Sequence, residues 1–188
     1  QEYAPATLSG DTTIMMELPA DFANVNTALS IKHTKSTGVE FYTGLTSMEN
    51  GKLYLTFTTN GFSPFEISAP AASIAETGMV YPTLADAVNA VEKNQSIQLR
   101  QNIAATDIAT VAKTTKFTIL VNGQTFDHDK NIIAGSNTTR KVAESEENYT
   151  YEFTYTKPSS GSSSGGSSSG KTTYKVTTSA VNNGGVNA

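Results

Sequence analysis

YPTLADAVNAVEKNQSIQL, residues 81–99, is the stretch in which a helical pattern gives way to a strand pattern. Leu84, Ala87, Val88 and Val91 recur at i, i+3, i+4 and i+7 and mark one apolar face of an amphipathic helix. Pro82 closes off what precedes it, and Thr83 with Asp86 three residues on makes a short capping box. The pattern predicts one helix over about 83–94, stopping near Asn94. Ile97 and Leu99 then alternate with Gln98 and Arg100, as in a half-buried strand.

Upstream, residues 1–68 read as all-β. Ile14, Met16 and Leu18 share one parity and Pro19 ends the run; Leu29, Ile31 and His33 share another, as do Val39 with Phe41, and Leu53, Leu55 and Phe57. Asn50-Gly51 is a tight-turn dipeptide, since both residues tolerate positive φ. Short strands separated by turn signals predict antiparallel pairing in a small β-sandwich, with room for a further strand before Gln1. Downstream, Phe117, Ile119 and Val121 alternate before a second turn at Asn122-Gly123, and Tyr149, Tyr151, Phe153 and Tyr155 share one face. The fold class is therefore mainly β: a small antiparallel β-sandwich over 1–68, followed by a β-rich α+β unit over 72–157 with one amphipathic helix. PSSGSSSGGSSSG, the Ser/Gly linker of 158–170, has almost nothing to bury and should span on the order of 20 Å. Residues 171–188 read as the start of a further β repeat.

ALSIKHTKSTGVEFYT followed by NGKLYLTFTTNGFSPFEIS resembles the closing half of β-sandwich modules in large surface proteins of Gram-positive bacteria. Such modules commonly end on a phrase like Phe62-Ser63-Pro64-Phe65. The succession YPTLADAVNAV, SIQLRQNI, FTILVNGQTF, NIIAG resembles short modules whose strands are like coils of a right-handed β-helix, also common in surface proteins of gut and soil Firmicutes. The resemblance implies non-catalytic structural spacer modules, extracellular and held at the cell surface by parts of the parent protein outside this segment.

Composition narrows the function further. A net charge of −4 with no basic stripe argues against nucleic acid, and no polybasic cluster or long apolar run points to a membrane. Cysteine is absent, which excludes disulfides, thiolate metal sites and thiol nucleophiles. No cofactor is implied, and the chain reads as a monomer without enzyme activity. Gln1 opens the chain without Met or a signal sequence, as in a segment of something longer.

Several residues could still carry chemistry. His33 has the parity of Leu29 and Ile31 and reads as structural. Asp127-His128-Asp129 reads as a solvated turn rather than a ligand set, because neighbours on an extended chain diverge. Glu144, Glu146 and Glu147 read as a hairpin tip rather than a calcium loop. No G-x-S-x-G elbow marks a nucleophilic serine. Tyr42 and Tyr54 oppose the apolar parity of their strands, so they read as outward-facing and are the candidates for stacking on a sugar. That supports an alternative: a carbohydrate-binding or host-adhesion module whose partner is a polysaccharide or host glycoprotein. A second alternative is an accessory region of an extracellular glycan-active enzyme. Lys32 and Lys52 lie on predicted strands where an internal isopeptide crosslink to an asparagine would be placed. Val88→Asp is expected to unfold the second unit and leave the first intact.

Overall fold

The computed structural model describes residues 10–158; the linker beyond Pro158 and the repeat expected over 171–188 lie outside the described residues. The protein is mainly β with one short helix. Five strands, β1 (Thr12–Leu18), β2 (Ala28–Lys35), β3 (Gly38–Glu49), β4 (Lys52–Thr59) and β5 (Phe65–Ser68), form one antiparallel sheet in the order β1-β4-β3-β2-β5. Asn50 and Gly51 turn β3 into β4 with positive φ at both residues, as their sequence predicts.

The described residues up to 68 form one sheet and not the two packed sheets of the expected sandwich, and its apolar side chains are enclosed by curvature. Phe57 on β4 and Phe65 on β5 meet edge to face with centroids 5.3 Å apart, although two strands lie between them. A flat sheet would set those strands roughly 14 Å apart, at about 4.8 Å per step. The sheet therefore coils over Leu29, Ile31, Leu53, Leu55 and Phe57, with Tyr42, Phe65 and Ile67 packed against them. Gly44 permits the closure: a Cβ there would stand 2.5 Å from Leu55 Cδ1 and 2.7 Å from Ile31 Cδ1.

The second region begins with β6 (Ala72–Ile74) and β7 (Val80–Tyr81), then helix α1 (Leu84–Ala90). The helix is shorter than the span of about 83–94 that its periodicity suggests, which is a correction. Val91 leaves helical backbone (φ −60°, ψ 133°) while its N–H still donates to Ala87 O, and its side chain enters the core. Asn94 then adopts φ 69° and donates its N–H to Lys116 O at 2.6 Å, setting the next strand beside its neighbour. Thr83 caps as expected: its Oγ1 accepts from Asp86 N at 3.0 Å and donates to Asp86 Oδ2 at 2.6 Å.

After the helix come β8 (Ser96–Leu99), β9 (Ala109–Val111), β10 (Thr115–Leu120), β11 (Ile132–Ala134), β12 (Thr138–Ser145) and β13 (Asn148–Tyr155). β8 runs parallel to β10, with Ile97 beside Ile119, and β9 runs parallel to β11, with Thr110 beside Ile133. Two successive chain passes thus pair as parallel rungs. The loops stack as well: Thr125 O accepts from Ile103 N at 2.9 Å and Asn102 Oδ1 from Thr125 N at 2.8 Å. The hairpin β12–β13 pairs antiparallel onto β10, and β6 pairs onto β8, giving the order β12-β13-β10-β8-β6-β7. Leu84, Val88, Val91, Ile97, Leu99, Phe117 and Ile119 are all buried in this core, as the periodicities predict.

The two regions touch through β7. Val80 N donates to Thr43 Oγ1 at 3.2 Å, Val80 O accepts from Ser30 Oγ at 3.3 Å, and Phe41 meets Tyr81 edge to face at 5.2 Å. Ser30 and Tyr81 are buried there, and burial raises the Tyr81 phenol above its ordinary range.

Candidate functional site

The parity of β3 is the opposite of the sequence reading, and this is a correction. Phe41 faces β7 and Tyr81, whereas Tyr42 turns toward the curved core and Phe57. The cause is that β3 is covered on both faces near Phe41, so its apolar set marks the contact with β7. Tyr54 lies on the other face from Leu53 and Leu55, in a cross-strand row with Glu17 and Ser47. Tyr42 and Tyr54 therefore stand on opposite faces and form no common platform. Lys32 pairs with Glu66 at 3.4 Å and Lys52 with Glu17 at 2.8 Å.

Tyr42 belongs to a polar network at the end of the coiled sheet. His33 is fully buried on β2, stacked on Phe65 at 4.3 Å. Its Nδ1 lies 3.3 Å from Tyr42 Oη and its Nε2 2.5 Å from Ser63 Oγ. Tyr42 Oη donates to Glu40 Oε2 at 2.6 Å, and Lys35 Nζ donates to the same carboxylate oxygen at 2.6 Å and to Asn60 Oδ1. The order of donors fixes the tautomer. Lys35 and Tyr42 both give protons to Glu40, so Tyr42 Oη is left to accept from His33 Nδ1–H, and His33 Nε2 accepts from Ser63 Oγ–H.

The electrostatics agree with that order. The hydrogen bond from Lys35, joined by that from Tyr42, holds the Glu40 carboxyl below its ordinary range; the same bond to Glu40 raises the Lys35 ammonium. Burial and the nearby Lys35 charge lower the His33 imidazole, with Glu40 opposing, so the ring is neutral at neutral pH. His33, Lys35, Asn60, Gly61, Phe62 and Ser63 line an open cavity of about 300 Å³. Phe62 at its rim is 61% exposed.

Nothing in the spacing of residues 33, 40, 42 and 63 announces this convergence. Three segments come together: the β2–β3 hairpin sets His33 opposite Glu40, and β5 folds back onto β2, pairing Phe65 with His33 and bringing Ser63 alongside. The phrase containing Ser63 was the one available signal.

The other polar clusters close on the chain's own backbone. Asp107 accepts from Leu84 N at 2.6 Å and Ala85 N at 3.1 Å, at the start of α1. Glu76 receives Ser96 N at 2.9 and 3.0 Å, and this bond holds its carboxyl low. Asn131 Nδ2 bridges Ala104 O and Asp107 O. Asp127 folds the expected turn by accepting from Asp129 N and Lys130 N, and Lys130 Nζ lowers its carboxyl. Arg140 binds Asp129 at 2.6 Å and the carbonyls of His128 and Ile132. His128 stacks on Tyr149 at 4.9 Å, and the buried Tyr151, its phenol raised by burial, donates to His128 O at 3.0 Å. Glu146 and Glu147 form the β12–β13 hairpin tip. Among the described residues no three His, Asp or Glu side chains converge as a metal site, and no helix is long and apolar enough to cross a membrane.

The chain matches no protein-family model, no curated protein and no solved structure.

Proposed function

We propose that this chain is a structural spacer segment of a modular bacterial cell-surface protein, extracellular, monomeric and without turnover chemistry of its own. The observation that carries this reading is the destination of the charged side chains. Asp107, Glu76, Asp127 and Arg140 all end on backbone groups that fix a helix start, a strand start or a turn. Carboxylates held by backbone N–H groups stiffen the segments that carry them. The contact of β7 with the buried Ser30, with Thr43 and with Phe41 further favours transmission of load between the two regions.

A second reading, recognition of a polysaccharide or host glycoprotein, is favoured by the outer face of the first sheet. The row Glu17–Tyr54–Ser47 adjoins the row Met15–Thr56–Leu45, in which Met15 and Leu45 are exposed. A tyrosine beside exposed apolar side chains is a surface on which a sugar ring can stack. A glycan array and an insoluble-polysaccharide pull-down separate the two. The spacer reading expects no saturable retention; retention lost in Tyr54→Ala would replace it with the binding reading.

A further inference from the structure

Most polar networks of the described residues end on backbone. The relay from Glu40 through Tyr42 and His33 ends on a hydroxyl at the wall of a cavity. We propose that Ser63 is an activated nucleophile that takes an acyl group from a small activated carboxylic ester, a covalent modification site in a protein otherwise built as a scaffold.

Three observations carry it. The nucleophile touches its base, with Ser63 Oγ 2.5 Å from His33 Nε2. The base is oriented by a third group, since Tyr42 Oη at 3.3 Å from Nδ1 is itself fixed by Glu40 at 2.6 Å. This nucleophile–base–orienter order is what makes a serine hydroxyl reactive. The third is access: Ser63 is half-buried, and a cavity of about 300 Å³ opens beside it, large enough for a short acyl group with the Phe62 ring at its mouth.

The step balances without any other reagent. Ser63 Oγ attacks the ester carbonyl carbon while its proton passes to His33 Nε2. The tetrahedral adduct collapses, the bond to the leaving oxygen breaks, and His33 Nε2 returns the proton to the departing alcohol. Serine O-ester and free alcohol are the products. Pro64 follows Ser63 and has no N–H, so the backbone donor that often stabilises the oxyanion after a nucleophile is missing. Lys35, Ser36, Thr37 and Asn60 are the other polar side chains on the cavity wall. The missing donor slows both acyl-transfer steps, but an activated ester carries a good leaving group whereas the serine ester would have to expel an alkoxide, so the acyl group is captured and is not turned over.

The test treats the full 188-residue chain with p-nitrophenyl acetate and follows acetylation by peptide mass mapping. Alkaline hydroxylamine applied to the denatured product, which cleaves alkyl esters and spares the amides formed on lysine, sorts the products. The expected result is one hydroxylamine-labile acetyl on Ser63, absent in Ser63→Ala, forming about 100-fold faster than on other hydroxyls, the low end of general-base assistance. Its rate should be nearly flat from pH 7 to 8, because His33 is already neutral, whereas an unassisted hydroxyl accelerates tenfold per pH unit. Tyr42→Phe, checked for folding by circular dichroism, removes the link from His33 to Glu40 and should slow the reaction about tenfold. Acetylation of Ser63 no faster than of other serines, or a tenfold rise per pH unit indifferent to Tyr42→Phe, would overturn the proposal.

Discussion

The coiled sheet of β1–β5 and the stacked rungs of β8–β11 close their cores in different ways. In the first, an antiparallel sheet curls until Phe57 reaches Phe65, and a side-chain relay of His33, Tyr42 and Ser63 pins the last strand. In the second, parallel strands lie over one another and carboxylates and amides tie loop to loop through backbone groups. The contrast teaches where each region is vulnerable. Curvature is sensitive to side-chain volume, whereas stacking is sensitive to the close approach of backbones.

Val88→Asp should be the most damaging change. It places a carboxylate at a fully buried position on α1, a mechanism that costs about 4 kcal/mol or more. Urea unfolding should show loss of both regions, because β7 lies between the helix and the first sheet. Survival of the first sheet alone would restore the picture of independent units that the sequence suggests. Glycine substitutions come next. At Gly135 a Cβ would stand 2.8 Å from Ala112 Cβ and 3.3 Å from both Ala112 Cα and Val111 O, where backbone must move. At Gly44 the obstacles are the methyl ends of Leu55 and Ile31, which can change rotamer. Thermal melts should show Gly135→Ala costing about 3 kcal/mol and Gly44→Ala about 1 kcal/mol, the two ends of the usual overpacking range. A reversed order would mean that the curved sheet is the less forgiving core.

Asp107→Ala should cost about 1–2 kcal/mol by leaving Leu84 N and Ala85 N unpaired, a capping loss confined to the second region. Acid distinguishes the first region. His33 has a folded pKa below its ordinary 6.5, so between those values the unfolded chain binds the extra proton. Its contribution is complete above pH 6.5 and is lost as pH falls through the folded value. Glu40, also lowered, adds a loss of the same sign that begins below 4.5. Melting temperature should therefore fall from pH 7 to pH 5 before the carboxylates titrate, and a flat profile there would contradict a buried neutral His33. Tyr54→Ala, on the outer face, should shift stability by less than about 0.5 kcal/mol.

Much of this was legible in the sequence where period and turn chemistry agree. SIQL became β8, the Asn50-Gly51 hairpin formed, and the tyrosine run from 149 became β13 with Tyr151 and Phe153 inward. Periodicity misled at β3, because alternation reports which face is apolar and not which of two covered faces is the main core. It also overran the helix, since Val91 continues the apolar face in space while its backbone is already extended. The His33–Ser63 relay was invisible for another reason. His33 and Tyr42 share the β2–β3 hairpin, but Ser63 reaches them only through the pairing of β5 with β2.

Contacts through β7 join the two regions into one compact unit. Differential scanning calorimetry tests it most directly, by comparing the calorimetric with the van't Hoff enthalpy of the whole protein. A single transition with equal enthalpies is predicted. Two resolved transitions, or a calorimetric enthalpy well above the van't Hoff value, would contradict it and return the molecule to two beads on a string.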